Sequence, residues 1–573
     1  MKISQQQFGF TAGMLDTTLE ARADIAAYYA GAREITNMQS LPQGGLKTRP
    51  GMAFVASIPE AKTGARLASF EFSTEQTYLL VFTDRKIHVY REGVKQTTLT
   101  TPWTTERLPR IAFTQSLDTM IVVHPDIQPH KVMRQGGHDR WVCEPLRLKN
   151  IPKYKFGNAE EPTWSAARGW PRSVYLHEGR LYFGGSRARP QTIWGSNSND
   201  FFDFRVTPNT QLDDDGVEMT LDNDRVSAVE QLYALKDLFA LTSGGLFAQS
   251  ASPVTPKNFF FGRQSELPAA PIRPAELDGS VMFIRRGEDG HHQSLHEIIY
   301  DDARQAYLTQ DLALLASELL RAPSAIAARM GDETTSANLL FVVNGRDGTL
   351  ATFHTRRSQE IAGWTLWRTS GQIKDVAVVG TATYLLVGRP IAGQDQCFIE
   401  RLDDGRAMDG SVSKAAKTPT RTWRGLDHLE GATLAMTAHG EDLGVTTVAS
   451  GTVTTPHAVT DLQVGLPFDW AVETMPIEAQ LSDGTLVGNH HRISRVTLRV
   501  KDTASLRIGG RTVAFGKLDH TTMDAPPPSF TGLKTVRLLG WSGGEQASGA
   551  TIRMTGTSTN PATILSLTAQ VAQ

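Results

Sequence analysis

Short apolar runs broken by turn residues recur along most of this chain. From Thr74, TEQTYLLVFTDRKIHVYREG places two such runs around Thr83-Asp84, and LDTMIVVHPDIQPHKVMRQ repeats the arrangement from Leu117 around Pro125-Asp126. The unit returns at HEGRLYFGGSRARPQTIWGSNSNDFFDF (177–204) and again from Leu232, Asp278, Ala337 and Thr381. Brief runs rich in Val, Ile, Leu, Phe and Tyr, bounded by Gly, Asp and Pro, predict strands paired as hairpins. Seven hairpins start roughly 45 to 60 residues apart, close to the ~40 to 50 residues of a four-stranded propeller blade. A propeller buries each blade against its neighbours and leaves only short protected edges. No Trp-Asp or Gly-His signature is shared by the units, so spacing alone leaves the blade count open.

Two stretches carry a helical period. Over 16–38, Asp16 or Thr17 offers a cap, and Ile25, Tyr28, Tyr29 and Ala32 fall on one stripe before Leu41-Pro42. Near 309–320, Thr309 offers a cap and Leu312, Leu315, Ala316 and Leu319 form an apolar face. Beyond Thr418 the chain is rich in Thr, Val and Gly. There RISRVTLRVKD, from Arg492, alternates as in strands with one wet face, and Pro526-Pro527-Pro528 marks an exposed loop. The expected architecture is mainly β, in three parts. A helix-containing, turn-rich docking segment covers 1–65, a β-propeller-like domain of divergent hairpin repeats covers 66–417, and an all-β sandwich or barrel-like domain covers 418–573.

At 573 residues the chain exceeds one compact core, and 50 glycines and 28 prolines agree with strands and turns. A formal net charge of -2 gives no global basic field of the kind that holds nucleic acid or a membrane surface. The cysteines, Cys143 and Cys397, are far apart and lack metal-ligand spacing, which argues against a disulfide framework or structural zinc and for folding in a reducing cytoplasm. No run of ~18 apolar residues occurs, and MKISQQQFGF does not read as a leader, so a soluble, non-secreted chain is expected.

Motifs of chemistry fail on context. Gly540-Trp541-Ser542-Gly543-Gly544 fits G-x-S-x-G, but a nucleophile elbow needs a helix after it, and EQASGATIRMTG reads as turn and strand. The pairs His291-His292 and His490-His491 would point to opposite faces of a strand and chelate poorly. Asp213-Asp214-Asp215-Gly216 lacks the spaced acidic pattern of a calcium loop and reads as a solvated turn. Phosphate-binding, zinc-protease and dinucleotide fingerprints are missing. No catalytic, cofactor or metal residue is nominated, and no cofactor is expected. Arg187, Arg189, Arg263, Arg285 and Arg286 sit near aromatic or glycine-rich turns. Of these, Arg187 and Arg189 are singled out as candidate inter-subunit or docking contacts.

Three ordered sets of strings resemble the tail tubular protein B, or nozzle, family of short-tailed bacteriophages. They are FGFTAGMLD, ARADIAAYYAGAREITN, LPQGGLKTRPG and FEFSTEQTYLLVF; then HEGRLYFGGSRARPQTIWGS, NDFFDF, LTSGGLFAQS and LHEIIYD; then GLDHLEGATLAM, VGLPFDWAVETMP and RISRVTLRV. The resemblance spans nearly the whole chain. It implies a non-enzymatic virion protein of the tail, assembled in the host bacterial cytoplasm. Its partners would be further copies of itself in a homo-hexamer, an adaptor or head-to-tail connector above, tail fibres or spikes laterally, and genomic DNA passing through the lumen without sequence-specific binding or membrane insertion. It further implies a neutral to acidic lumen, since sliding DNA should meet few tight phosphate contacts. The alternatives are a receptor- or carbohydrate-binding propeller of the tail and, third, a propeller glycoside hydrolase, which needs two carboxylates across a sugar ring.

Overall fold

The apolar runs form blades. In the computed structural model, which describes all residues except 1, 199, 208–210, 225, 288–292, 333–335, 479, 482–483, 486–491, 516–527, 538–549 and 573, five self-contained four-stranded antiparallel sheets follow one another over 66–100, 112–145, 173–220, 229–265 and 275–311. A sixth quartet occupies 323–367. The seventh blade is built from Gln372–Val379, Ala382–Ile391 and Gln394–Asp403, and takes its outermost strand, Gly51–Ser57, from ahead of the first blade. That borrowed strand closes the ring. Gly51 is required where it enters, because a Cβ there would lie 2.4 Å from the Met408 carbonyl oxygen.

Closure is also visible in the packing. Among the described residues an apolar cluster fills every junction between neighbouring blades, from Phe82, Trp103, Met120 and Trp141 between the first and second to Leu79, Tyr384 and Ile399 between the seventh and first. A middle strand is therefore covered on both faces. This is why Asn338–Asn344 is buried at every position and why such segments read as continuous apolar runs instead of alternating ones. The aromatic residues of 177–204 belong to the same scheme: Phe183, Trp194 and Phe204 pack with Trp164 between the second and third blades.

The sixth and seventh blades run on into the rest of the chain. The sixth continues into a ten-stranded sheet through Gly13–Met14, Gly31–Thr36, Asp469–Thr474 and Arg553–Thr557. That sheet shares a core of Ile35, Trp470, Val472, Val496, Leu498, Met554 and Leu567 with a six-stranded sheet in which Lys2–Gln7 and Arg492–Thr503 flank Thr563–Ala572. The seventh continues into Asp409–Arg424 and Thr452–Leu466, which have their own core around Trp423, Leu434, Met436 and Val464. Among the described residues no helix is long and apolar enough to cross a membrane.

Three expectations are corrected. The helix over 16–38 is replaced by a 3-10 turn, Thr17–Ala21, one short helix, Ala26–Ala30, and the strand Gly31–Thr36. Asp16 does cap, accepting the Thr18 N–H at 2.9 Å, but pairing of Gly31–Thr36 with Asp469–Thr474 overrides local helical preference. The helix near 309–320 is a strand, Ala306–Asp311, followed by the 3-10 turn Leu314–Leu319, since Thr309 pairs with Ile298 in the fifth blade. Residues 1–65 are not a separate segment: their strands lie in the C-terminal sheets and the seventh blade, and the expected boundary at 417 falls inside Asp409–Arg424. The His291-His292 and His490-His491 pairs and the Gly540–Gly544 motif fall outside the described residues, as does most of the Pro526-Pro527-Pro528 loop.

After Ser411 pairs with Ala53, no described strand pairs with the other edge of Asp409–Arg424. Along that edge stand Lys414, Lys417, Arg421, Arg424 and Pro419, with register shifts between Ala415 and Thr422. Like charges, a proline and irregular register are devices that stop an open edge from pairing with another chain. Lys417→Val combined with Pro419→Val is expected to raise light scattering several-fold at unchanged melting midpoint. Unchanged scattering would show that the edge is already blocked by other means.

Candidate functional site

The stretch 177–204 is organised by its turn. Gly185 takes φ +57, and a Cβ there would meet the Pro190 carbonyl oxygen at 2.8 Å, so glycine is needed to turn the chain into the arginines. Arg187 donates to the Ala166 carbonyl at 2.9 Å, reaches Asp126 at 3.6 Å, and keeps about half its side chain (55%) exposed. Arg189 is 12% exposed: it pairs with Glu218, donates to Thr220 Oγ1 at 3.0 Å and stacks 4.2 Å from the Tyr154 ring. Trp194 donates Nε1–H to the same Glu218 at 3.0 Å. Arg189 thus braces the third blade within its own chain, while Arg187 retains an outward face.

A denser cluster, invisible in the sequence pattern, joins the propeller to the C-terminal sheets. Arg49 is fully buried and spends all five N–H groups: on Asn37 Oδ1 (2.9 Å), the Pro50 carbonyl (2.9 Å), the Arg368 carbonyl (2.9 Å) and both oxygens of Asp409 (2.9 and 2.7 Å). Its guanidinium lies 3.6 Å from the Phe468 ring centroid. One side chain therefore ties the N-terminal strands, the end of the sixth blade, the start of Asp409–Arg424 and the link before Asp469–Thr474. Thr369 donates to Asp409 at 2.7 Å and accepts from Arg389, which forms a two-pronged pair with Glu400 at 2.5 and 2.6 Å. Burial works to push the Arg389 guanidinium down, yet the Glu400 carboxylate holds it above its ordinary value. No sequence signal marks the cluster: Asp409 stands among the charged and small residues of RLDDGRAMDGSVSK.

A cavity of about 800 Å³ lies away from the propeller axis, whereas the space among the inner strands at the axis is smaller, at ≈ 500 Å³. The larger one, lined by Arg368, Trp470, Arg507 and Arg553, lies against the ten-stranded sheet instead of the axis. The axial one is bordered by Arg66, Phe113, Tyr233, Arg273, Glu276 and Asp375. Asp375 accepts from the Leu67 and Val376 amides at 2.7 and 2.9 Å and lies 3.5 Å from Arg66 Nε; burial nonetheless lifts its carboxyl above the usual range. Arg273, just ahead of the fifth blade's inner strand, crosses to the second blade, donating to the Phe113 carbonyl with its guanidinium 4.4 Å from that ring.

Two groupings resemble chemistry and lack its geometry. Ser294 Oγ and Asp311 Oδ2 both approach His296 at Nε2, at 2.9 and 3.8 Å, whereas a triad needs the carboxylate on the other ring nitrogen. Asp215 is buried and already accepts from the Thr207 and Leu212 amides, both its oxygens engaged in holding the turn.

No family model matches the chain, and no curated protein is similar to it in sequence. Solved structures similar to it include U3-55K (12% identity, 61% of this chain and 99% of that one, TM-score 0.34), the WD40 repeats of RRP9 (11%, 62% and 99%, 0.35) and a luciferin-regenerating enzyme (12%, 62% and 96%, 0.32). At these TM-scores they carry no argument about function. The β-propeller is given by the strand pairing and the clusters between blades.

Proposed function

We propose that this chain is a structural, non-enzymatic subunit of a homo-hexameric tail tube or nozzle of a short-tailed bacteriophage. In this reading it sits in the virion tail below the portal-adaptor complex, supports fibres or spikes, and encloses the path of the exiting DNA. The observation that carries the reading is the series of ordered strings from FGFTAGMLD to RISRVTLRV, which resembles that family along nearly the whole chain. The architecture is compatible with mechanical work, since both chain ends are woven into one β body continuous with two blades and locked to them by Arg49. The axial space, ≈ 500 Å³ and crossed by Arg273, is too small for a duplex. DNA would therefore pass between the subunits of the ring and not through each propeller. A closed cyclic interface satisfies every subunit identically, which suits a ring.

Native mass measurement of the purified chain, alone and with its adaptor ring, tests assembly. A six-copy species, formed alone or on the adaptor, is expected. A chain that stays monomeric under both conditions contradicts the proposal.

A further inference from the structure

Arg273 is an unusual cation. Its hydrogen-bond partner is a backbone carbonyl, its flat face is covered by Phe113, and no carboxylate among the described residues stands at ion-pair distance from it. The second cation at the cavity, Arg66, has Asp375. Burial holds the Arg273 guanidinium below its ordinary value; the Tyr233 and Tyr175 phenols oppose this and the Arg66 charge adds to it. The side chain is only partly exposed, and a cation partly withdrawn from water without a counter-charge carries a cost that an anionic ligand would offset.

The remaining walls narrow the ligand. One side is bordered by the inner-strand edge of Ala325, Ile326 and Ala327, whose side chains pack into the clusters between blades, and Tyr233 adds an aromatic edge. Glu276 lines the cavity, is exposed and has no ion-pair partner among the described residues, so it can accept hydrogen bonds but repels a second negative charge. Glu71, also at the rim, accepts the Gly380 amide at 2.9 Å. The volume, ≈ 500 Å³, lies within the range of small-ligand sites. The fork of an arginine matches a carboxylate in two-pronged fashion, and a lone carboxylate acceptor matches hydroxyl donors.

From this arrangement we infer a ligand site in the propeller axis for a small hydroxylated monocarboxylate of sugar-acid size, its carboxylate on Arg273 and its hydroxyls towards Glu276. The site is independent of whether the chain forms a tail ring. It would give each subunit a soluble-ligand or glycan-terminus contact that a purely mechanical part does not need.

Titration calorimetry of the full chain with sodium glucuronate, glucose and inorganic phosphate tests it. Glucuronate is expected to bind saturably at one equivalent, glucose not at all, and phosphate more weakly than glucuronate. Arg273→Gln should weaken glucuronate by roughly tenfold or more, and Arg187→Gln should leave it unchanged. Arg273→Lys, which keeps the charge and loses the fork, should fall between them, and it decides the matter if the Gln variant does not fold by circular dichroism. Absence of glucuronate binding, equal binding by Arg273→Gln or by Arg273→Lys and the unaltered chain, equal binding of glucose, or phosphate binding as tight as glucuronate would each overturn the assignment.

Discussion

Arg49→Ala is expected to be among the most destabilising single substitutions in this protein, at about 3 to 5 kcal/mol, because it strands the Asp409 carboxylate in a site from which water is excluded. The loss is of two kinds. Among the described residues Asp409 keeps only Thr369 as a donor, and the Arg368 and Pro50 carbonyls and Asn37 Oδ1 lose an N–H each. Most of the cost belongs to the groups left behind and not to the attraction itself. Arg49→Met with Asp409→Leu should therefore recover much of the stability lost by Arg49→Ala, since replacing both members of a buried pair by apolar residues is often near neutral. Chemical denaturation of the single and double variants checks this. A double variant no more stable than Arg49→Ala would mean that the hydrogen bonds to backbone carbonyls, and not the unpaired charge, dominate.

Acid should loosen the ring well before the carboxylates titrate. Burial pushes His124 down to about 4 and His354 down to about 3, against an ordinary value of 6.5. The geometry explains why protonation is resisted. His124 Nδ1 accepts the Asp126 amide at 3.1 Å and cannot carry a proton there; among the described residues His354 bonds only Thr365 Oγ1, at 2.9 Å, its Nδ1 buried without a partner. His428, stacked 3.8 Å from the Phe54 ring, is pushed down by burial in the same way, to about 4. In each case the folded chain binds fewer protons than the unfolded one. Their stability contribution is thus complete above pH 6.5 and falls as the pH drops from 6.5 towards 4. His124 and His354 alone give a slope of about 2 to 3 kcal/mol per pH unit once both titrate in the unfolded chain. Asp375 acts oppositely, since its raised carboxyl takes up its proton earlier in the folded state, and it offsets part of the loss at the acid end. Urea midpoints at pH 7.5, 6 and 5 should fall steadily, and His354→Gln should flatten the dependence. Midpoints unchanged between pH 7.5 and 5 would refute the assignment of these histidines as neutral.

The blades were legible because their physics is local. A strand covered on both faces must be apolar throughout, so segments such as TYLLVF, MIVV and NLLFVV announce themselves, and their spacing gives the ring. Gly31–Thr36 was not legible: its strand character comes from a partner more than four hundred residues away, Asp469–Thr474, while Ile25, Tyr28 and Tyr29 supply a helical period over barely one real turn. Gly51–Ser57 shows the same limit, since nothing in GMAFVAS says that it finishes the last blade. Arg49 and Asp409, Arg389 and Glu400, and Arg273 with Phe113 are all pairings between distant or turning segments. Arg189 was visible as a candidate, but the Glu218 and Tyr154 that occupy it were not.

Electron microscopy of purified virions in which this chain carries a small tag for labelling tests the proposed tail ring. Label confined to the tail, at a sixfold ring below the portal-adaptor complex with one propeller per asymmetric unit, is expected. Label absent from the tail, or a ring of any other symmetry, would contradict it.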